Sequence, residues 1–231
     1  MDDPDDMLQL IKKHGATRPE PAPIWLAKRQ LAQQLRRISN ALCDSQANEA
    51  DILALAETLG EEAKFLHDSK RDEEPVSSDS ALVPGMETFF DRGPIAGQSN
   101  PISPPASFEI DVDARIVRGE VEFGKAFEGA PGCVHGGFVA AVLDEALGMA
   151  CIFGGGPAMT AELTTRYVRH TPIEMPLKIE AKLDQVEGRK VRTSGRVMLE
   201  GVTVVEATGL FIAVGTEKFA ALLNARRDNQ P

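Results

Sequence analysis

The sequence predicts an α+β fold in which an antiparallel sheet wraps around one long central helix, preceded by a helical extension. The first observation is a stretch from His135 to Ile152, which begins with a His-Gly-Gly turn and is apolar almost all round. A helix without a polar face must be buried on every side. The second is a series of segments that alternate apolar and polar residues, the later ones separated by tight turns, as in antiparallel hairpins.

Composition restricts the class of protein. With 231 residues and 42% hydrophobic content, the chain has room for one ordinary domain with a core, plus an extension. Its net charge of −10 disfavours nucleic acid and anionic membrane surfaces as partners. The sequence shows neither a signal peptide nor an apolar run of membrane-spanning length, which predicts a cytoplasmic protein without membrane insertion.

The cysteines support the same location. Cys43, Cys133 and Cys151 form neither an even set nor a metal-ligand spacing. We therefore expect a reducing compartment, and we expect neither a metal nor a cofactor.

The first third of the chain predicts two amphipathic helices and a linker. Apolar residues recur at helical spacing in both helices, and stripes of this kind need a surface to pack on. The predicted segments are a weakly ordered leader (1–20), helices over 24–42 and 49–66, a charged linker (67–79), and a boundary between an extension of residues 1–80 and a main domain of residues 81–231.

The main domain predicts six strands around the central helix. A proline-rich segment over 93–105 is expected to be extended and irregular, and turns are expected at Gly188-Arg189 and Glu200-Gly201. The last strand is apolar on both faces, which is typical of a central strand. The predicted strands cover 108–112, 116–123, 159–168, 177–184, 191–199 and 202–214, and a short terminal helix follows over 219–223.

Two glycines at the start of the central helix have a possible catalytic use. The backbone N–H groups of Gly136 and Gly137 have no partner within the helix, and the helix dipole adds positive charge there. Such a turn can bind the oxygen of a polarised carbonyl. The alternative is a tight turn that only lets the helix pack against the sheet, and the spacing alone favours neither.

An acidic pair inside the apolar helix also needs an explanation. Asp144 and Glu145 are costly to bury unless they are paired or functional. Asp144 follows Gly136 by eight residues, or about 12 Å along a helix. One carbonyl carbon cannot contact both groups of the same helix, but two helices packed antiparallel in a dimer could bring them together. Asp144 could instead form a cap or salt bridge within the interface.

These residues resemble the signature of hotdog-fold thioesterases, and within them the phenylacetate-pathway thioesterases and the thioesterase superfamily member group. Family members place the catalytic acid nine positions after the histidine, as Asp144 follows His135 here. The resemblance runs from about Gly93 to Val214 and does not cover the chain up to about Ser80. The matching residues are Glu128-Gly129-Ala130-Pro131-Gly132-Cys133-Val134-His135-Gly136-Gly137, Asp144, Thr160 and Gly188-Arg189-Lys190.

The resemblance implies an acyl-CoA thioesterase with a hotdog fold, active as a homodimer or a dimer of dimers with sites shared between chains. Asp144 would be the nucleophile or general base, with Glu145 as the other candidate acid. His135 would position the substrate or the turn, the alternative being a helix-entry residue hydrogen-bonded to the backbone. Thr160 would bind the attacking water or the carboxylate. Some relatives carry an additional Asn donor before the histidine. Positions 128–134 lack it, so the carbonyl would rely on Gly136 or Gly137.

Four cations occupy positions where relatives bind the nucleotide end of coenzyme A: Arg166, Lys178, Arg189 and Lys190. Strand alternation predicts that Thr160 and Arg166 share one face and line one groove. The alternatives are a threonine present for its β-propensity and a solvated strand face of alternating charge.

Two other functions remain open. A non-catalytic acyl-CoA-binding regulator on the same fold would lose the acid, so Asp144 argues against it, whereas the helical extension argues mildly for a regulatory role. A hotdog dehydratase needs its histidine and acid in a different arrangement. Since the N-terminal helices carry no candidate catalytic group, we expect them to be dispensable for the chemistry.

Overall fold

The computed structural model describes residues 22–69, 91–104 and 106–214. The predicted leader, the linker from residue 70 onward, the boundary at residue 80 and the predicted terminal helix lie outside the described residues.

Within these residues the structure contains three α-helices and six strands. The predicted elements are all present, with ends that differ by a few residues. The helices are α1 (Pro23–Cys43), α2 (Glu49–Asp68) and α3 (Gly136–Ala150); the strands are β1 (Ser107–Asp111), β2 (Ile116–Val121), β3 (Ala158–Tyr167), β4 (Leu177–Glu187), β5 (Lys190–Leu199) and β6 (Val202–Ala213); 3₁₀ turns cover Lys125–Phe127 and Cys151–Gly154.

The strands form one antiparallel sheet in the order β1-β2-β4-β5-β6-β3. Helix α3 packs against one face of this sheet, which confirms the predicted fold class. Strand β6 lies between β5 and β3, as its apolar pattern predicts. The turn between β5 and β6 has positive φ at Glu200 (50°) and Gly201 (81°), the conformation that matches hairpin twist. Strand β3 forms one edge of the sheet.

The core lies between α3 and the sheet. Residues Gly136–Gly154 are long and apolar enough to cross a membrane, but α3 is the helix around which the sheet wraps, and core helices pass the same test. The expectation that α3 is buried on every side is wrong for the single chain, because Gly137 and Phe138 are exposed and Ala141 and Gly148 are half-buried. The α3 side chains buried against the sheet are Val139, Val142, Leu143, Ala146, Leu147 and Ala150.

Helix α1 packs on the main domain through a face that hydrophobic spacing does not identify. Its buried residues are Trp25 and Ala32, and Arg29 pairs with the buried Asp91 at 2.8 Å. The predicted stripe points largely outward, since Leu31 and Leu42 are 44% and 57% exposed. The orientation of α1 is therefore determined more by its polar contacts with the main domain than by burial of its apolar stripe. Helix α2 has no buried residue.

The segment over 91–104 is irregular, as predicted, but it is folded into successive turns instead of being extended. Its own polar groups close these turns: the Asn100 amide donates to the Arg92 carbonyl at 3.0 Å, and the Ser103 hydroxyl donates to the Ile95 carbonyl at 2.7 Å. The Arg36 guanidinium of α1 donates to the Asn100 carbonyl at 2.8 Å. The turns thus form the surface on which α1 packs.

A row of alternating charges crosses the sheet face that points away from α3. Residues paired across neighbouring strands share a face, and each neighbour in this row has the opposite charge. Arg196 donates to Glu180 at 2.7 Å, and Arg166 lies 3.7 Å from Glu206. In strand order the row is Glu109, Arg118, Glu180, Arg196, Glu206 and Arg166.

Candidate active site

His135 caps the N-terminus of α3 with its own ring. The Gly137 N–H donates to His135 Nδ1 at 3.1 Å, and the Phe138 N–H donates to the His135 carbonyl at 3.0 Å. The Gly136 N–H has no partner among the residues that the structure describes. Of the two glycine donors that the sequence identifies, Gly136 is therefore the one available to a ligand, whereas Gly137 is occupied by the cap.

Tyr167 fixes the carbonyl side of the same turn. Its hydroxyl donates to the Gly136 carbonyl at 2.6 Å, and burial raises the pKa of this phenol. A Cβ at Gly136 would lie 3.1 Å from the Tyr167 oxygen, tighter than most such contacts. Glycine at this position thus allows the ring to reach the backbone. Sequence reasoning did not identify Tyr167. Its place at the end of an exposed edge strand, as the chain's one tyrosine, was the available signal.

The structure places Thr160 against Asp144. The threonine hydroxyl donates to Asp144 Oδ1 at 2.9 Å, and the carboxylate is half-buried on α3. This contact joins the two residues that the resemblance implies for the acid and its partner. Their catalytic roles stay predictions.

A β-bulge separates Thr160 from the rest of the predicted groove. Thr160 pairs with the buried Phe211, whereas Glu162 pairs with Leu210, so Ala161 is the extra residue in β3. Thr160 consequently faces α3. The expectation that Thr160 and Arg166 share a face is wrong, because the bulge reverses the alternation and Arg166 joins the charge row on the opposite face.

Glu145 makes no hydrogen bond or ion pair with any described residue. Burial, and secondarily the charge of Asp144, raises the pKa of this carboxyl. Burial, and again the charge of Asp144, raises the pKa of the nearby Cys151 thiol to about 12. Cys151 is therefore protonated at neutral pH and is no thiolate nucleophile.

The two contacts show that α3 runs antiparallel to β3. Near the start of the helix, Gly136 lies beside Tyr167 at the end of the strand; further along, Asp144 lies beside Thr160 at its beginning. The polarised turn and the carboxylate therefore sit at opposite ends of one helix–strand pair. No single small ligand group can contact both within one chain.

A surface cavity of about 410 Å³ opens at the Gly136 end. Its walls include the Tyr167 ring and two basic side chains that sequence reasoning missed, Arg169 and His170, which follow β3 directly. The lining residues are Cys133, Val134, Gly136, Val139, Tyr167, Val168, Arg169, His170 and Thr171. The cavity thus combines an unused backbone donor, apolar walls and positive charge.

The predicted cations divide between the two ends of the sheet. Lys190 pairs with Ile212, which also pairs with Met159, so the Arg189-Lys190 turn lies at the Thr160 end, about 10 Å from β3 across one intervening strand. Lys178 lies on the face away from α3, at the Tyr167 end. None of the four lines the cavity.

Among the described residues, no group of three or more His, Cys, Asp or Glu side chains is arranged to bind a metal ion. The groups assembled at the two ends of α3 include a carboxylate, a hydroxyl and a helix N-terminus.

Comparison with known proteins identifies similar sequences. The family model for the thioesterase superfamily matches residues 131–206. A crystal structure of a thioesterase superfamily protein is 31% identical, covers 85% of this chain and 94% of its own, and superposes with a TM-score of 0.69. Since residues 81–231 make up about two thirds of the chain, this match also includes part of the N-terminal extension.

Two curated relatives match a shorter region. Acyl-coenzyme A thioesterase THEM4 of Bos taurus is 41% identical over 97 residues, 41% of this chain and 40% of that protein. The protein of the same name from Xenopus laevis is 37% identical over 91 residues, 38% of this chain and 41% of that protein. This chain thus matches about two fifths of the length of each curated relative.

Replacing Glu145 with glutamine should stabilise the fold at neutral pH. Because the pKa of Glu145 is raised above its ordinary 4.5, its contribution to stability is full below that value and is lost as pH rises through the folded-state pKa. Glu145→Gln should therefore unfold at a higher temperature than wild type at about pH 7, with the difference shrinking towards pH 4. Thermal unfolding at both pH values measures this. Glu162→Gln, on the exposed sheet face, is the matched control. An equal shift at both pH values would contradict the assignment.

Proposed function

Since the chain belongs to the thioesterase superfamily, we propose that it hydrolyses an acyl-CoA thioester to a free acid and coenzyme A. The names of the curated relatives support this substrate class. The observation that carries the proposal is the separation of two complementary groups along α3: an unused N–H at Gly136, and the Asp144 carboxylate bonded to Thr160.

A second copy of the chain joins these groups. Strand β3 is a ten-residue edge strand, and an edge of this length is ready to pair with another chain. An antiparallel β3–β3 pairing centred between Leu163 and Thr164 sets Thr160 of each copy opposite Tyr167 of the other. Asp144 then approaches the Gly136 turn of the partner copy, and the open face of α3 is covered.

In this arrangement the reaction needs two chains. Gly136 N–H of one copy binds the thioester oxygen and stabilises the negative charge that develops on it. Asp144 of the other copy takes a proton from a water molecule, with Thr160 orienting the carboxylate, and the resulting hydroxide attacks the carbonyl carbon. The tetrahedral intermediate collapses to the acid, and the coenzyme A sulfur leaves and takes up the proton.

Positive charge near the Gly136 turn suits a substrate that carries the phosphates of coenzyme A. Arg169 and His170 belong to the cavity wall, and the two-fold pairing brings the Arg189-Lys190 turn of one copy to the Gly136 end of the other. Arginine binds phosphate oxygens in a fork geometry, so Arg169 is the leading candidate for a coenzyme A phosphate.

The competing function is non-catalytic binding of acyl-CoA on the same fold. The half-buried Asp144, bonded to Thr160, favours hydrolysis, because a binding module has no use for a base there. Release of free thiol from acyl-CoA, detected with a thiol reagent, separates the two functions. Assaying acyl groups from acetyl to palmitoyl, together with aromatic ones, would define the preferred acid. Binding without thiol release for every one of them would overturn the proposal.

Asp144→Asn should remove most of the turnover while the protein still folds. The amide has nearly the same shape but cannot accept the proton, and loss of a general base costs about 10²- to 10⁴-fold in rate. The measurement is kcat by thiol release, with circular dichroism to verify folding. Glu145→Gln serves as the neighbouring control and should keep kcat within about three-fold. If the two variants behave the other way round, Glu145 is the working acid.

Mixing two inactive variants should restore activity if the site is shared. Asp144→Asn damages one half of the site, and Gly136→Pro removes the N–H that we assign as donor. In an equal mixture half of the dimers are mixed and each has one intact site, so about a quarter of the wild-type rate is expected. Mixing Asp144→Asn with Thr160→Val is the control, since both lie in the same half. Recovery in neither mixture would argue for a site within one chain.

Arg169→Gln should weaken substrate binding more than turnover. Loss of a charge-assisted contact to a phosphate should raise KM about ten-fold and leave kcat within about three-fold. Arg192→Gln is the matched control. It removes the same charge from the face of β5 that points away from α3, and it should change neither KM nor kcat. A KM equal to that of the control would exclude Arg169 from the binding site.

A further inference from the structure

We infer that helix α1 positions the turn at residues 135–137, here called the oxyanion turn. Asn40 is the positioning residue, so the N-terminal extension takes part in the catalytic architecture. This inference rests on the proposed function for its effect on turnover. The chain of contacts from α1 to His135 does not depend on that function.

Asn40 contacts the main domain near the end of α1. Its side-chain Oδ1 accepts a hydrogen bond from the Ala126 N–H at 2.9 Å. The approach is close: a Cβ built at Gly124 would lie 2.5 Å from the same oxygen, which no real side chain tolerates without a shift. Glycine at position 124 and asparagine at position 40 therefore fit each other.

The residue after Ala126, Phe127, contacts the oxyanion turn directly. The Phe127 carbonyl accepts the His135 N–H at 2.8 Å, and the buried Phe127 ring packs edge-on against Phe138 with centroids 4.9 Å apart. Phe127 thus contacts the residue before Gly136 and a side chain in the first turn of α3. The contacts run from Asn40 through the 3₁₀ turn to the residue that precedes the free Gly136 N–H.

Three further contacts hold α1 in the position that Asn40 requires. Trp25 is 1% exposed, Arg29 pairs with Asp91, and Arg36 donates to the Asn100 carbonyl. They lie on the same face of α1 as Asn40, since the successive spacings are four, seven and four residues. A helix attached along its length holds the side chain near its end in one position relative to the main domain.

The position of an oxyanion donor must be accurate. Catalytic geometry tolerates errors of only about 0.5 Å, and a displacement of about 1 Å can cost up to 10² in rate. Asn40 and the 3₁₀ turn precede residue 131, where the match to the family model begins, so they form a support outside the part of the chain that this model matches. For α1 this inference predicts a positioning role, whereas the sequence alone predicts helices that are dispensable for the chemistry.

The first test compares three single variants of the full chain. Asn40→Ala removes the acceptor and should lower kcat about 3- to 30-fold, with KM within about two-fold. Asn40→Asp keeps an acceptor oxygen and should restore kcat to within about two-fold of wild type. Ser39→Ala, whose hydroxyl bonds only to its own helix at Leu35, is the matched control and should change nothing.

The second test uses the close contact at Gly124. Gly124→Ala alone should reproduce the loss of kcat, because the new methyl group displaces Asn40. In an Asn40→Ala background the same change should have little further effect, since the space is vacant, so the double-mutant cycle should be strongly non-additive. Additive losses would mean that the two residues act separately and would overturn the inference.

Two readouts separate positioning from loss of folding. Trp25 is the only tryptophan in the sequence and is buried on the docked face of α1, so its emission reports whether α1 stays docked. It should be unchanged in Asn40→Ala, whereas amide hydrogen exchange over residues 135–138 should accelerate. Unchanged exchange would overturn the inference. If Asn40→Ala accelerates this exchange but wild type releases no thiol from any acyl-CoA, the proposed function fails and the positioning contact stands.

Discussion

Helix α3 is held lengthwise along the edge strand β3 by one hydrogen bond near each end of their contact. Tyr167 binds the backbone at Gly136, and Thr160 binds the carboxylate of Asp144. From Gly136 to Asp144 the helix rises about 12 Å. Each end of the site is thus tied to the sheet by a hydrogen bond, and the helix between them sets their separation.

This geometry explains which features the sequence predicts well. Apolar periods of two and of 3.6 residues reflect burial against one continuous core, so the strands, α3 and the interior place of β6 follow from pattern. The spacing from His135 to Asp144 identifies the two ends of the site because it measures a length of helix. Alternation cannot reveal the bulge at Ala161, because a single extra residue has no recognisable pattern of its own. It moves the strand residues on one side of it to the opposite face of the sheet. For this reason Arg166 and Thr160 lie on opposite faces of the sheet.

The orientation of α1 shows a second limit of pattern reading. A hydrophobic stripe predicts which face a helix buries only when apolar contact dominates the free energy of docking. Here Arg29, Arg36 and Asn40 contact carbonyl, carboxylate and N–H groups of irregular segments, and one tryptophan supplies most of the apolar anchor. These partners have no periodicity of their own. Sequence reasoning missed Tyr167 for the same reason, because its role depends on the contact that its hydroxyl makes with the Gly136 carbonyl across the fold.

Catalysis and assembly are therefore coupled in the proposed enzyme by the rigidity of α3. A flexible loop could bring a base and an oxyanion donor together within one chain, but a helix keeps them apart, so in the proposed reaction a partner copy supplies the missing group. The partner would also displace water from the exposed side of α3, where Asp144 is half-buried. Electrostatic interactions strengthen as water is excluded. The surface that completes the site would thus also create the drier surroundings in which the Gly136 N–H and the Asp144 carboxylate act most strongly.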